Sequence, residues 1–148
     1  MNKLFKLALI VAVLTSLMLA GVALAQEAAK VYTPEEISKE AMAQTTNVDV
    51  ATAKAGIDEG KFKVILDVRE PKEYKKGHIP GAIVIPRGVL EFKVAEQIAD
   101  KTTTILIYCK KGGRGALSAV QLKKLGYTAV TNVKGGWLAW EKAGYPVE

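Results

Sequence analysis

A chain of 148 residues suits one domain. With 49% hydrophobic and 24% charged residues it carries enough apolar side chain for a core, which excludes wholesale disorder. The net charge of +6 comes from lysines scattered along the chain, with no long basic run and no aromatic interleaving, so no nucleic-acid partner is expected; a lone cysteine forbids an internal disulfide, and with one histidine it leaves no Cys/His metal site.

Lys3 and Lys6 open the chain with a short basic start. Residues 7–19 are apolar apart from Thr15 and Ser16, and Ala23-Leu24-Ala25 offers a small-x-small cleavage site before Gln26. This is the layout of a secretory signal peptide over residues 1–25, with a periplasmic or secreted mature protein as its consequence. The alternative is an uncleaved N-terminal membrane anchor, since the apolar stretch approaches the ~18–20 residues of a spanning helix.

Residues 26–46 read as a linker and a short helix. Thr33 is placed to cap, Pro34 suits the first turn and Glu36 completes a capping box, giving a helix to about residue 43. A small strand over residues 47–50 and a helix over residues 52–59, ending at Gly60, follow. Residues 64–68 form a near-continuous apolar run, as in a strand buried on both faces. Glu70-Pro71 breaks it, a short turn or helix runs from Glu73-Tyr74 to Gly77, and His78-Ile79-Pro80-Gly81 is a turn. Residues 82–85 make another strand, stopped by Pro86. Residues 88–99 read as a helix with Leu90, Val94 and Ile98 on one face. A strand over 103–108 leads to Cys109; a well-buried helix over 116–125 stops at Gly126; a strand over 128–133 and a helix over 137–143, opened by Gly135-Gly136, complete the chain. Alternating strands and helices argue an α/β domain with a mainly parallel sheet, in which ligands sit beyond the carboxyl ends of strands. Cys109 stands at such an end.

The stretch after that strand carries the chemistry. Cys109 is followed by Lys110, Lys111, Gly112, Gly113, Arg114 and Gly115. A thiol reacts as its thiolate, which neighbouring cations and a helix N-terminus favour. Three glycines let the backbone turn N–H groups inward as a nest for an anion. A buried structural cysteine needs neither, so Cys109 is the expected nucleophile, in a site that a small anion must be able to reach.

Four motifs in order carry a resemblance: Asp67-Val-Arg69-Glu-Pro71 with Glu73-Tyr74, Gly77-His-Ile-Pro-Gly-Ala82, Cys109-Lys-Lys-Gly112-Gly-Arg114, and Gly135-Gly-Trp137-Leu-Ala-Trp140. Over residues 47–148 the chain resembles a single-domain rhodanese, a sulfurtransferase. The resemblance implies a three-layer α/β/α fold with a five-stranded, mainly parallel sheet. It implies that Cys109 accepts a sulfane sulfur from thiosulfate or polysulfide, becomes a persulfide, and passes the sulfur to cyanide or a thiol. The loop residues 110–115 would bind the anionic donor. No cofactor or metal is needed. Phosphatases on this fold have one residue more between Cys and Arg, so the six-residue loop here favours a single sulfur atom over phosphate, and the missing second cysteine disfavours an arsenate reductase. A sulfur carrier that serves a periplasmic or membrane sulfur-metabolism protein, with little turnover of its own, is the competing reading. Asp67 and Arg69 are expected to form an ion pair bracing the loop, Arg87 to offer a further anion contact, His78 to serve the turn, and Trp137 and Trp140 to pack a helix. The chain is expected as a monomer or a homodimer.

Overall fold

The computed structural model describes Asn2 and residues 30–148. Apart from Asn2, the leader expected over residues 1–25 lies outside the described residues. Thr33–Glu148 is one compact unit. It opens with α1 (Pro34–Ala43), whose capping box is formed as expected: Thr33 Oγ1 accepts from the Glu36 N–H and the Glu36 carboxylate accepts from the Thr33 N–H. Helix α1 packs on a later helix, α5 (Gly113–Lys124), so it belongs to the same unit rather than to a linker ahead of residue 47.

The strands are β1 (Thr46–Val48), β2 (Val64–Asp67), β3 (Ala82–Val84), β4 (Ile105–Tyr108) and β5 (Val130–Val133). They form a single parallel sheet in the order β1-β5-β4-β2-β3. The remaining helices are α2 (Val50–Asp58), α3 (Pro71–Tyr74), α4 (Leu90–Gln97) and α6 (Gly136–Lys142), with a 3-10 turn at Arg87–Val89 before α4. Strand β4 is central and all four of its residues are buried, as a strand covered on both faces requires. Its side chains alternate: Ile105 and Ile107 join Leu66, Leu90, Val94, Ala119 and Leu122 in one cluster, while Leu106 and Tyr108 join Ala53, Val133, Trp137 and Trp140 in the other. Helices α4 and α5 therefore cover one face, α2 and α6 the opposite one. The result is the three-layer α/β/α arrangement expected.

Several boundaries differ from the sequence reading. Asp49 caps α2 by accepting from the Thr52 N–H at 2.7 Å, so the strand before it ends at Val48 and the helix starts at Val50. The expected helix over residues 88–99 is broken into a 3-10 turn and a shorter α4. Helix α5 begins at Gly113, three residues before the expected Ala116.

Candidate active site

Strand β4 ends at Tyr108, and Cys109 begins the connection to α5. Gly112 ends that connection in a left-handed conformation, φ 99°, that glycine adopts at little cost. There its N–H donates to the Cys109 Sγ at 3.2 Å and its carbonyl accepts from the Ala116 N–H at 2.9 Å. Gly113, Arg114 and Gly115 form the first turn of α5, where N–H groups lack acceptors within the helix and the dipole favours negative charge. The loop after Cys109 thus consists of a short left-handed turn and a helix end.

A second helix holds the loop from behind. The Trp137 and Leu138 N–H groups, at the start of α6, donate to the carbonyls of Cys109 (2.8 Å) and Lys110 (3.1 Å). Gly136, at φ 56°, makes that approach possible, because a Cβ there would collide with the Cys109 carbonyl oxygen. The Gly135-Gly136 pair, read from sequence only as a helix opening, is therefore a clamp on the Cys109 loop.

Charged side chains brace the surroundings. Arg69 is 2% exposed and grips Asp67 through Nε (3.0 and 2.9 Å) and Nη2 (2.6 Å), and also donates to the Gly77 carbonyl at 2.8 Å. Its guanidinium lies over the rings of Tyr108 and Trp137. Burial opposes the charge on Arg69, and the bonds to Asp67 raise its pKa regardless. Burial, with Asp67 beside it, pushes the Tyr108 phenol well above its ordinary value, so Tyr108 stays neutral and accepts from the Ile79 N–H. The expected structural ion pair is present, and it links β2, the turn after α3 and α6. His78 stacks on Tyr74, in keeping with a role in the turn.

Arg114 is committed elsewhere than expected. It pairs with Glu73 through two parallel bonds, Nη1 to Oε2 at 3.0 Å and Nη2 to Oε1 at 3.1 Å. These bonds hold the Glu73 carboxyl down to about 2, and the same bonds raise Arg114 further. Glu73 is a site residue that sequence reasoning missed; its membership in the Glu73-Tyr74 motif was the only signal. Lys110 and Lys111 are exposed, with no ion-pair partner among the described residues. Arg87 is exposed as well. Its N–H donates to the Val68 carbonyl, whose own N–H donates to the Tyr108 carbonyl. Arg87 thus sits at the same end of the sheet as the thiol, about 10 Å away by two strand spacings.

Cys109 itself is 1% exposed. A reachable thiol was expected, and the structure instead buries it almost completely. A hollow lies elsewhere, lined by Gln44, Thr46, Lys123, Tyr127 and Thr128 beside the start of β5. Among the described residues no three His, Cys, Asp or Glu side chains gather as a metal site.

Comparison with known proteins now decides the family. The family model "Rhodanese-like domain" matches residues 49–143. The chain belongs to the rhodanese-like family. Among curated members, it is 35% identical over 105 residues to a Bacillus subtilis protein provisionally named sulfur carrier protein YrkF, covering 71% of this chain and 56% of that protein. It is 32% identical over 84 residues to a protein of Allochromatium vinosum named "Sulfurtransferase", covering 57% of this chain and 77% of that one. Among solved structures, a Rhodopseudomonas palustris protein of unknown function, described as a possible tyrosine phosphatase, superposes with a TM-score of 0.73 at 30% identity, covering 83% of this chain and 99% of that one. The rhodanese-like sheet therefore carries Cys109, the Gly112 turn, the α6 clamp and the Asp67–Arg69 brace in one constellation.

Proposed function

We propose that this rhodanese-like domain is a sulfurtransferase that carries a sulfane sulfur on Cys109. The observation that carries the reading is the sulfur's own setting. A backbone N–H is already aimed at Sγ from Gly112, and the first turn of α5 stands next to it with N–H groups free of helical partners. The Cys109 thiolate attacks the outer sulfur of thiosulfate; the new S–S bond forms as the old one breaks, and sulfite leaves with the electron pair. With polysulfide the leaving group is the shorter polysulfide. Cyanide or a thiolate then attacks the outer sulfur of the persulfide and returns Cys109 to its thiolate. Lys110 and Lys111 steer the anionic donor, with Arg87 as an outlying contact. The leader pattern of residues 1–25 supports work outside the cytoplasm.

A phosphatase reading, prompted by the Rhodopseudomonas palustris neighbour, is disfavoured by Arg114. Its guanidinium is occupied by Glu73 in two bonds and is not open to a phosphate. The name of the Bacillus subtilis relative supports the carrier alternative, in which the same persulfide is handed to a partner protein with little free turnover.

Purified protein treated with thiosulfate or polysulfide gains about 32 Da on Cys109, the mass of one sulfur in a persulfide. Cys109→Ser stays folded and gains nothing. No adduct on folded, reduced wild-type protein refutes both the enzyme and the carrier. Rapid thiocyanate formation with cyanide identifies the enzyme; an adduct without turnover identifies the carrier.

A further inference from the structure

Asn132 lies on β5 and is 0% exposed. Its Nδ2 donates to the Asn47 Oδ1 at 2.8 Å and to the Gly112 carbonyl at 3.3 Å. Its Oδ1 is buried without a hydrogen-bond partner. That oxygen rests against Gly115, where a Cβ would collide with it. Buried amides that leave half their capacity unused are uncommon, and this one calls for an account.

The orientation is dictated from outside the loop. The Asn47 Nδ2 donates to the carbonyls of Met42 and Thr45, both at 2.8 Å. Two carbonyls accept only, so the amide nitrogen of Asn47 must face them and its oxygen must face Asn132. Asn132 in turn must present its nitrogen to that oxygen, and the same nitrogen reaches the Gly112 carbonyl. The unpaired Oδ1 is the consequence of this forced orientation. Gly112 is the residue whose N–H meets the sulfur, and its left-handed backbone has no Cβ to hold it in place.

Helix α1 adds packing to the same spot. The Met42 Cε lies 3.3 Å from where a Gly112 Cβ would stand, and the Ser38 Oγ 2.9 Å from the corresponding point on Gly113. Both residues, like Asn47, precede the family match at residues 49–143.

We propose that Asn132, oriented by Asn47, is a positioning residue that pins Gly112 with its N–H on the Cys109 sulfur, so that the α1–β1 segment ahead of the family match governs the reactivity of the thiol. This rests on Cys109 being the reacting group, and it extends to a pair of residues that no motif of the loop contains.

The test is the pH profile of Cys109 alkylation by iodoacetamide in Asn132→Ala and Asn47→Ala, with far-UV circular dichroism and a urea titration on each. Arg114 and its partner Glu73, the charged pair flanking the thiol, are unaltered in both variants. The half-maximal pH rises by about one unit, which at pH below the transition is about a tenfold lower alkylation rate. Tyr127→Phe, which removes a buried bond to the Ile98 carbonyl, lowers stability without moving the profile. Asn47 stands on the edge strand β1, outside the Cys109 loop, and Asn47→Ala decides the matter if Asn132→Ala does not fold. Profiles of folded variants that superimpose on the wild type overturn the proposal. Alkylation needs no sulfur donor, so a wild-type protein that takes up no sulfur refutes the proposed function and leaves this test intact.

Discussion

Gly136→Ala is the sharpest probe of the clamp behind the Cys109 loop. Gly136 has φ 56°, and an alanine Cβ there would collide with the Cys109 carbonyl oxygen and stand 3.0 Å from the Gly112 nitrogen. A left-handed backbone costs a non-glycine residue about 1–2 kcal/mol. Crowding a packed site adds about 1–3 kcal/mol, toward the upper end here because the obstruction is backbone and has no rotamer to escape into. The sum is about 2–5 kcal/mol, a large part of the 5–15 kcal/mol typical of a domain. The chain can relieve the clash only by moving Cys109 and Gly112 away from α6, which breaks the Trp137 N–H bond to Cys109 and disturbs the Gly112 N–H on the sulfur. Urea unfolding reads the stability loss, and persulfide formation monitored by mass reads the loop. The folded fraction of the variant loads sulfur at least about tenfold more slowly, the loss of roughly one hydrogen bond to a charged group. A variant as stable as the wild type, or one that loads sulfur at the wild-type rate, would show that the clamp is not needed and refute this reasoning.

Two further outcomes follow from the ion pairs. Asp67→Asn leaves the buried Arg69 guanidinium without its counter-charge and lowers stability by about 3–5 kcal/mol, measured by urea unfolding; a loss below 1 kcal/mol would mean that the Gly77 carbonyl and the two aromatic rings suffice. Glu73→Gln frees Arg114, so inorganic phosphate competes more strongly against thiosulfate loading in the variant than in the wild type; equal competition contradicts the assignment of Arg114 to Glu73. The same pair has a pH signature. Because the Glu73 carboxyl is held at about 2 against an ordinary 4.5, its contribution is complete above about 4.5 and is lost as pH falls through about 2. The stability gap between wild type and Glu73→Gln therefore closes over that window on acidification, as followed by unfolding curves at stepped pH.

Local signals made much of the scaffold legible. Ile105-Leu106-Ile107-Tyr108 announces a doubly covered strand because no polar side chain interrupts it, and Thr33 with Glu36 marks a helix start because both halves of the capping box lie within one turn. The start of α5 was hidden. Gly113 and Gly115 disfavour helix by propensity, yet both are helical because small residues there admit Ser38 and the Asn132 side chain. The partners of the loop were hidden for a different reason. Glu73 meets Arg114 across 41 positions and Asn47 meets Asn132 across 85, separations over which composition and periodicity carry no information. The burial of Cys109 was equally unforeseen, since cations and glycines describe the charge of a site and not its depth.

The strand order has a consequence for how the molecule comes into being. The first strand, β1, has the last, β5, as its sole neighbour in the sheet. A polypeptide growing from its amino end cannot seat β1, nor bring Asn47 to Asn132, until residues near Val133 have left the ribosome. Through most of its synthesis the nascent chain therefore lacks the contact that backs the Cys109 loop, which is assembled only as the final strand closes against the first.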